Sequence, residues 1–241
     1  MRVIAHRGAS VVERENTLGA FREAVRLNAD GVELDVRRTA SDVLVVHHDA
    51  HLHDGRAIIE MQDDELPDWV PTLAEVMDVC RDPALEREFV INIEIKSAPN
   101  DPDYDAEHQV SAAVAGLVMG WGIGDHHGEV IVSSFDMEAL NRIRDIDPGI
   151  PTAYLTFEVL APDLLVGRVT AAGHTAIHPY VASTSPALVD VAHAAGLEVN
   201  VWTVNDPDQI AQLAAMGVDA VITDVPDIAR EVLGRGKSVS Y

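Results

Sequence analysis

Several charged side chains stand at or near the ends of short apolar runs in this sequence. Each run is rich in valine, isoleucine or leucine and is typical of a buried β-strand. The charged residues are His6, Arg7, Glu33, Asp35, His48, Glu94 and Lys96. Burying an ionised group costs several kcal/mol unless the group is paired, hydrogen-bonded or bound to a metal. A chain that repeats this cost at several strand ends is predicted to assemble a functional site there.

Three of these residues are acids. Glu33 and Asp35 are two positions apart, so in a strand their side chains share one face, and Glu94 belongs to a later run. Three carboxylates ionised together would repel one another without a cation, and an all-oxygen set favours Mg²⁺ or Ca²⁺ over zinc. The alternative is a cluster of structural ion pairs with Arg7 and Lys96. We favour the metal site, because all three acids fall on neighbouring strands of the first half.

Two histidines and two cations accompany the acids. Imidazoles titrate near neutrality, so His6 and His48 can serve as a general base and a general acid. The guanidinium of Arg7 and the ammonium of Lys96 suit a phosphate oxyanion beside a divalent ion. Lysine is rare here, with 2 among 17 basic residues, so Lys96 is not expected to be an incidental surface charge. No acid–base triad surrounds Ser133–Ser134, the nearest nucleophile candidate, and the set predicts phosphoryl-type hydrolysis.

The composition is that of a globular and strongly acidic chain. Of its 241 residues 47% are hydrophobic, and the formal net charge is -23. Such a charge argues against nucleic acid and anionic membrane surfaces as partners. No stretch approaches the roughly 20 apolar residues that span a bilayer, and the first residues read as a strand without the apolar region of a signal peptide. We expect a cytoplasmic protein without integral membrane association, and the oligomeric state stays open.

Short β-type runs alternate with amphipathic helical patterns along the chain. The predicted strands are 2–6, 31–37, 43–47, 90–95, 129–133, 152–156, 175–178, 198–203 and 220–223. The predicted helices include 17–27, 72–81, 106–119, 137–146, 186–195, 207–216 and 226–233. Strands of the second half begin 22 or 23 residues apart, which is the length of one βα unit and indicates a parallel sheet.

Nine strands are one more than a closed (β/α)8 barrel contains. The gap between 37 and 43 leaves no room for a crossover helix, so 43–47 is predicted to pair antiparallel with 31–37 as a hairpin. A two-residue turn at 41–42 would place His48 opposite Asp35. We therefore predict a single-domain α/β fold over residues 1–241, a (β/α)8 TIM barrel with an extra hairpin strand after strand 2 and only a short insertion. The main alternative, an open doubly wound sheet, would need a glycine-rich phosphate loop that this sequence lacks.

The chain closely resembles the glycerophosphodiester phosphodiesterase family, nearly from end to end. The motifs that carry the resemblance are AHRG at 5–8, ENT at 15–17, GVELDV at 31–36, VHHD at 46–49, PTLAEV at 71–76, IEIK at 93–96, SSF at 133–135, VWTVN at 201–205 and ITD at 222–224. No one motif is decisive, but their order and combination are highly specific. The resemblance implies a barrel that hydrolyses glycerophosphodiesters to glycerol 3-phosphate and an alcohol, using a divalent cation.

The resemblance also implies a role for each site residue. These roles are acid–base catalysis for His6 and His48, metal binding for Glu33, Asp35 and Glu94, and phosphate binding for Arg7 and Lys96. In the mechanism usually proposed for the family, the neighbouring glycerol hydroxyl attacks phosphorus and gives a cyclic phosphate that water opens, so no protein nucleophile is needed. Glu15 is expected to orient Arg7 or His6. Trp202 either packs against the glycerol or alcohol portion of the substrate or belongs to the core at the barrel top.

The chain departs from the family pattern in one segment. Many members carry a longer insertion between the His-Asp and Pro-Thr-Leu motifs, whereas the segment from Asp49 to Pro71 is short here. Because this insertion caps the mouth, the size and the head group of the substrate stay open.

Two other functions use the same residues. A lysophospholipase-D-like phosphodiesterase would need an apolar rim at the mouth, which 5% aromatic residues and the lack of an amphipathic anchor do not favour. A non-catalytic phosphate-binding barrel would have lost catalytic groups, yet both histidines, all three acids and both cations are present.

Overall fold

Nine β-strands form one sheet in the computed structural model, which describes residues 1–81, 89–121 and 128–235. Their order around the sheet is β1-β9-β8-β7-β6-β5-β4-β2-β3, and β1 also pairs with β2. The strands are β1 Arg2–His6, β2 Gly31–Arg38, β3 Leu44–Val46, β4 Phe89–Ile95, β5 Gly128–Ser134, β6 Thr152–Thr156, β7 Ala176–Pro179, β8 Glu198–Val201 and β9 Ala220–Thr223.

Eight of these strands close into a barrel. Each pairs in parallel with its neighbours, and β1 completes the ring by pairing with β9 on one side and β2 on the other. Only β3 stands outside the ring, antiparallel to β2. The predicted (β/α)8 barrel with an extra hairpin strand is confirmed. The open doubly wound sheet is excluded, because an open sheet would leave β1 or β2 without its second neighbour.

Eight α-helices lie in the described residues and cover the outside of the barrel. They are α1 Leu18–Arg26, α2 Leu73–Cys80, α3 Gln109–Trp121, α4 Met137–Ile146, α5 Pro162–Ala171, α6 Pro186–Ala194, α7 Pro207–Met216 and α8 Pro226–Val232. Every helix named from the sequence is confirmed, and α5 is additional. Its N-cap residue, Ala161, makes no side-chain hydrogen bond, so α5 lacks the capping signal that marks its neighbours. None of the described helices is long and apolar enough to cross a membrane.

The residues that precede α6 and α7 cap these helices as their residue types predict. The Ser185 hydroxyl accepts a hydrogen bond from the backbone N–H of Leu188 at 3.2 Å, and the Asp206 carboxylate accepts one from Gln209 at 2.9 Å. Each cap is followed by a proline at the first helical position. Proline lacks a backbone N–H, and at this position an N–H would have no hydrogen-bond partner within the helix. These two caps fix where α6 and α7 leave the mouth of the barrel.

The predicted register of the hairpin is wrong by one residue. The structure pairs Val36 with Val46, so Asp35 lies opposite His47, whose backbone N–H donates to the Asp35 carbonyl at 3.0 Å. The reason is a longer turn. Thr39 bonds to Val43 across residues 40–42, and Asp42 takes a left-handed φ of 62°, as three-residue hairpin loops require. β3 ends at Val46, so strand alternation does not determine the direction of the His48 side chain.

Side chains that point into the barrel are arranged in layers. A lower apolar layer contains Ile4, Val90, Ile131, Ala153, Ala176, Ala220 and Ile222. Two residues further along their strands, Asn92 and His178 are also buried. Alternate residues such as Leu34 and Ile93 point outward into the larger core between the sheet and the helices. The lower part of the barrel is thus packed, and Arg2 pairs with Glu129 and Glu198 at the amino ends of the strands.

The segment between the hairpin and α2 forms a small unit beside the barrel mouth. It contains two 3₁₀ helices, Ile58–Glu60 and Asp63–Glu65. Its apolar side chains pack with β3 in a cluster made of Val45, Leu52, Ile58, Met61 and Val70. The short insertion therefore has a core of its own, which packs against β3.

Candidate active site

The three acids meet at the carboxyl end of the barrel. β2 and β4 are neighbours, and their register sets Asp35 beside Glu94 and Glu33 beside Asn92. One carboxylate oxygen from each of Glu33, Asp35 and Glu94 lies within 4.8 Å of the others, and all three residues are buried. The structure therefore brings together the acids that the sequence analysis grouped.

Two cations contact this group of acids. Lys96 Nζ lies 2.9 Å from Asp35 Oδ1 and 2.6 Å from Glu94 Oε1, and Arg7 Nε lies 3.2 Å from Asp35 Oδ2. Burial alone would raise the pKa of Asp35, but Lys96 and Arg7 outweigh it and hold that pKa well below its ordinary value. Burial alone would lower the pKa of Lys96, but Glu94 and Asp35 raise it above its ordinary value. Asp35 thus pairs with both cations, and Glu94 pairs with Lys96. Ion pairs of this kind are the alternative to a metal site that the sequence left open.

Glu33 has different partners from the other two acids. Its Oε2 accepts a hydrogen bond from the backbone N–H of Arg7 at 3.1 Å and lies 3.9 Å from Nε2 of His6. Its Oε1 is buried and has no hydrogen-bond partner among the described residues. Burial, reinforced by the nearby charge of Asp35, raises the pKa of Glu33 to about 8. Further positive charge is needed to keep this carboxylate ionised, and an all-oxygen donor set suits a hard divalent cation. The residues therefore fit a metal site.

His6 is held by an acid to which the sequence analysis assigned no role. Its Nδ1 lies 2.6 Å from Oδ1 of Asp224, which follows β9. Asn205 fixes that acid, donating to Asp224 Oδ2 at 2.5 Å and accepting from its backbone N–H at 2.9 Å. Burial alone would lower the pKa of His6, but the bond to Asp224 and the charge of Glu33 outweigh it and raise that pKa. Asp224 lies two residues after the inward-pointing Ile222, so the same-face rule applied to β9 would have found it.

The turn after β1 sets the position of Arg7. Arg7 has a left-handed φ of 57°, which costs an L-residue about 1–2 kcal/mol. Gly8 has a φ of 82°, and a Cβ there would lie 2.7 Å from Ala20, so this turn needs glycine. Glu15 accepts bonds from Arg7 Nη1 at 3.0 and 3.2 Å. Of the two residues that Glu15 was expected to orient, Arg7 is therefore the one that it binds.

Asn16 is a second polar residue that the sequence analysis left without a role. Its Nδ2 donates to Asp35 Oδ2 at 2.7 Å, and its backbone N–H donates to the Arg7 carbonyl at 2.9 Å. Asn16 also has a left-handed φ, of 55°, which asparagine tolerates better than most residues. In the ENT motif, Glu15 therefore binds Arg7, and the next residue, Asn16, binds Asp35.

His48 reaches the site from the segment after β3. Its Nδ1 lies 2.7 Å from Oδ1 of Asp49, and its charge helps to lower the pKa of Asp35. The preceding residue, His47, turns away and its ring lies 5.8 Å from that of Trp69. His48 therefore reaches the site although it does not lie opposite Asp35, because β3 ends before this residue.

A cavity of about 620 Å³ adjoins these groups. Its lining includes His48, Glu94 and Lys96, but not the other predicted site residues His6, Arg7, Glu33, Asp35 and Trp202. Residues from the loop after β4 and from the end of β5 form other parts of its wall, among them Tyr104, Phe135 and Asp136. A small substrate in this cavity can therefore contact Glu94, the ammonium of Lys96 and the imidazole of His48 at the same time.

Trp202 belongs to an aromatic group on the other side of the mouth. Its ring lies 5.4 Å from Phe135, 4.9 Å from Phe157 and 5.5 Å from Tyr180, and its Nε1 donates to the His178 carbonyl at 2.7 Å. We name these four residues, Phe135, Phe157, Tyr180 and Trp202, the aromatic rim. Phe157 is 60% exposed, so the rim is a surface as well as part of the core. The expectation that the mouth lacks an apolar rim is wrong, because four rings from separate strand ends converge although aromatic residues are few.

Comparison with known proteins places these features in a family. The model of the glycerophosphoryl diester phosphodiesterase family matches residues 6–228. The chain is 28% identical to the glycerophosphodiester phosphodiesterase of Caldanaerobacter subterraneus subsp. tengcongensis, over 97% of this chain and 98% of that one. It is similar to the crystal structure of a Thermotoga maritima glycerophosphodiester phosphodiesterase, with 28% identity, 96% and 98% coverage and a TM-score of 0.79. An Oleispira antarctica phosphodiesterase in complex with the product sn-glycerol-3-phosphate matches with 25% identity, 97% coverage of both chains and a TM-score of 0.85.

Proposed function

Because the chain belongs to the glycerophosphoryl diester phosphodiesterase family, we propose that it hydrolyses glycerophosphodiesters to glycerol 3-phosphate and an alcohol. The observation that carries this proposal is the buried group of three acids with a lysine and a histidine against it. The Oleispira relative, bound to sn-glycerol-3-phosphate, supports the same product here. The organisation of residues 1–241 as one domain stays a prediction.

We assign a divalent cation, Mg²⁺ or Ca²⁺, to Glu33, Asp35 and Glu94. Support comes from the all-carboxylate donor set and from the buried Oε1 of Glu33, which lacks a hydrogen-bond partner in the described part of the chain. When bound, such a cation polarises a phosphoryl oxygen and stabilises the charge that develops on it. It would also allow Glu33 to stay ionised at neutral pH.

Arg7 and Lys96 are the groups that we assign to the phosphate. Arg7 is held by Glu15 and by the turn after β1, and Lys96 is held by two of the acids. Both positive charges are therefore fixed before the substrate arrives, so little conformational entropy is lost when the phosphate binds. They also supply local attraction for an anionic diester in a chain whose formal net charge is -23.

We assign proton transfer to His6 and His48. Asp224 binds Nδ1 of His6, which leaves Nε2 directed towards Glu33 and the site. One histidine accepts the proton of the glycerol hydroxyl next to the phosphate, and that oxygen attacks phosphorus. The other donates a proton to the departing alcohol oxygen, which leaves a cyclic phosphate. A water molecule then attacks the cyclic phosphate, the histidines exchange roles, and the ring opens to glycerol 3-phosphate.

The cavity and the aromatic rim are assigned to the organic parts of the substrate. The cavity of about 620 Å³ has room for the alcohol next to His48. Phe135 belongs both to the cavity wall and to the aromatic rim, so the two surfaces are continuous. We place Trp202 among the substrate-binding residues on this ground.

The aromatic rim favours a second candidate function, a lysophospholipase-D-like activity on a lipid. Beyond the rim, the segment after β6 exposes further apolar side chains, with Val159 83% and Leu164 68% exposed. An acyl chain could contact these exposed side chains in addition to the rim. The chemistry at phosphorus would be the same, and only the organic part of the substrate would differ.

A coupled assay for glycerol 3-phosphate tests the proposal. We expect release from glycerophosphocholine and glycerophosphoethanolamine with Mg²⁺ or Ca²⁺, and much slower choline release from lysophosphatidylcholine. The Glu33→Gln variant should lose turnover, whereas Glu231→Gln, which changes an exposed acid of α8, should keep it. Release of phosphocholine would contradict the assigned bond cleavage. Binding of the diesters without turnover would indicate a phosphate-binding barrel, and faster turnover of the lipid would favour the second candidate.

A further inference from the structure

Arg37 connects three segments of the chain that are separate in sequence. Its side chain is 5% exposed, at the mouth end of β2. Nη1 lies 2.7 Å from both carboxylate oxygens of Asp103, and Nη2 lies 3.0 Å from Asp101 Oδ2. Nε donates to the backbone carbonyl of His48 at 2.8 Å. One guanidinium therefore ties β2 to the loop between β4 and α3 and to the segment that carries a proposed catalytic imidazole.

The strand period explains why this arginine reaches the site. Arg37 is two residues after Asp35 and four after Glu33, so its side chain leaves β2 on the face that carries the acids. It lies one step closer to solvent than they do, at the level where the loop after β4 crosses the mouth. Arginine has five N–H donors in a fixed fork, and the contacts to Asp103, Asp101 and the His48 carbonyl use four of them.

The backbone of His48 has few other supports. β3 ends at Val46, and the last ladder-like bond joins the His47 N–H to the Asp35 carbonyl. Beyond that point the carbonyl of His48 is bound by Arg37, and its ring is bound by Asp49, whose side chain is 68% exposed. The next two carbonyls, of Asp49 and Ala50, are bound by the His47 ring at 2.8 Å and by the Ile58 N–H at 2.9 Å, so Arg37 is the contact at the carbonyl of His48 itself.

Arg37 lines the cavity, which raises the question of whether it binds the phosphate directly. Its partners argue against this. Two carboxylates already surround a single guanidinium, and the side chain of Asp103 is itself 6% exposed. All three nitrogens of Arg37 already have a partner, so a phosphate could bind this guanidinium only by displacing one of them. Lys96 differs, because its ammonium has a third proton beyond its two carboxylate contacts.

We propose that Arg37 is a positioning residue that holds His48 in place by anchoring its carbonyl to the loop between β4 and α3. The inference rests on the proposed function, because it assigns to Arg37 an effect on proton transfer by His48. It predicts that changes at Arg37 act on turnover and leave the binding of the phosphate nearly intact, since Arg7 and Lys96 do not depend on it.

The test uses Arg37→Lys in the full chain with glycerophosphocholine and the divalent cation. Lysine keeps a positive charge for Asp103 but cannot also reach the carbonyl of His48 with a fixed fork. We expect kcat to fall about ten- to a hundredfold, the range for a small misplacement of a catalytic group, with KM changed by less than about twofold. The matched control is Arg38→Lys, since Arg38 pairs with Asp42 and Gln109, and it should keep both parameters.

A double-mutant cycle with His48→Ala separates positioning from general stability. If Arg37 acts through the imidazole, Arg37→Lys should lower kcat by less than about twofold when His48 is already alanine. Equal losses of kcat in both backgrounds, or a wild-type kcat for Arg37→Lys, would overturn the proposal. Should Arg37→Lys fail to fold, Asp103→Asn removes the loop side of the same contact and is expected to lower kcat with KM preserved. Absence of turnover in the wild-type protein would instead refute the proposed function.

Discussion

Replacing Asp224 by asparagine removes one negative charge next to His6 and keeps the size of the side chain. The carboxylate receives hydrogen bonds from Asn205 Nδ2 at 2.5 Å and from Ser10 Oγ at 3.3 Å, and its Oδ1 lies 2.6 Å from Nδ1 of His6. Asparagine has one side-chain oxygen where aspartate has two. Either His6 or Asn205 must therefore lose its acceptor in the Asp224→Asn variant.

The size of the effect follows from the type of bond that is lost. A hydrogen bond to a charged group contributes about 1.5–3 kcal/mol. If that stabilisation is realised when His6 carries its proton in the transition state, its loss lowers kcat about ten- to a hundredfold. Asp224 raises the pKa of His6, so its removal lowers that pKa. The limb of the pH–rate profile that belongs to His6 should move to lower pH, whether His6 acts as the acid or as the base.

The assay is the release of glycerol 3-phosphate from glycerophosphocholine, followed across pH at saturating divalent cation. Asp208→Asn, which removes an exposed charge from the first turn of α7, is the matched control and should behave as the wild type. A wild-type kcat together with an unshifted pH profile in Asp224→Asn would refute the assigned partnership of Asp224 and His6.

The other expected outcomes concern catalysis, the cation and stability. His6→Ala and His48→Ala should each lower kcat at least about a hundredfold while the far-ultraviolet circular dichroism is kept, and near-normal kcat in both would contradict the acid–base assignment. Chelation with excess EDTA should abolish turnover, and persistent activity would speak against a metal. Glu33 has a pKa of about 8 in the metal-free fold, above its ordinary value, so the folded state holds its proton and loses stability as pH rises from about 4.5 to 8. Added Mg²⁺ or Ca²⁺ should therefore raise Tm more at pH 8 than at pH 5, and an equal rise would count against Glu33 as a ligand. Thr72→Ala removes a hydroxyl that accepts the Glu75 N–H at 3.2 Å in a capping box, and should cost about 1 kcal/mol and lower Tm by about 2–4 °C with kcat unchanged.

Much of the fold could be predicted because apolar side chains recur with a different period in strands and in helices, and both patterns are clear in this chain. The acids on β2 and β4 obey the two-residue period, so their convergence followed once the strands were known to be parallel neighbours. The same rule also covers Arg37, two residues after Asp35, and Asp224, two residues after Ile222, to which the sequence analysis assigned no role.

The errors come from places where the period no longer applies. The turn at 40–42 gained a residue through the left-handed φ of Asp42, which shifted the hairpin register by one. The aromatic rim could not be read from composition, because its four rings follow four different strands and meet only in the closed barrel. Helix α5 lacked a capping side chain, so its start carried little local signal.

Phosphorus-31 and proton NMR of glycerophosphocholine incubated with the purified protein and Mg²⁺ or Ca²⁺ tests most directly whether this group of histidines and acids performs the proposed cleavage. The expected spectra show glycerol 3-phosphate and choline accumulating in equal amounts, and no change when Glu33→Gln replaces the wild type. Accumulation of phosphocholine and glycerol, or an unchanged substrate signal with the wild-type protein and either cation, would contradict it.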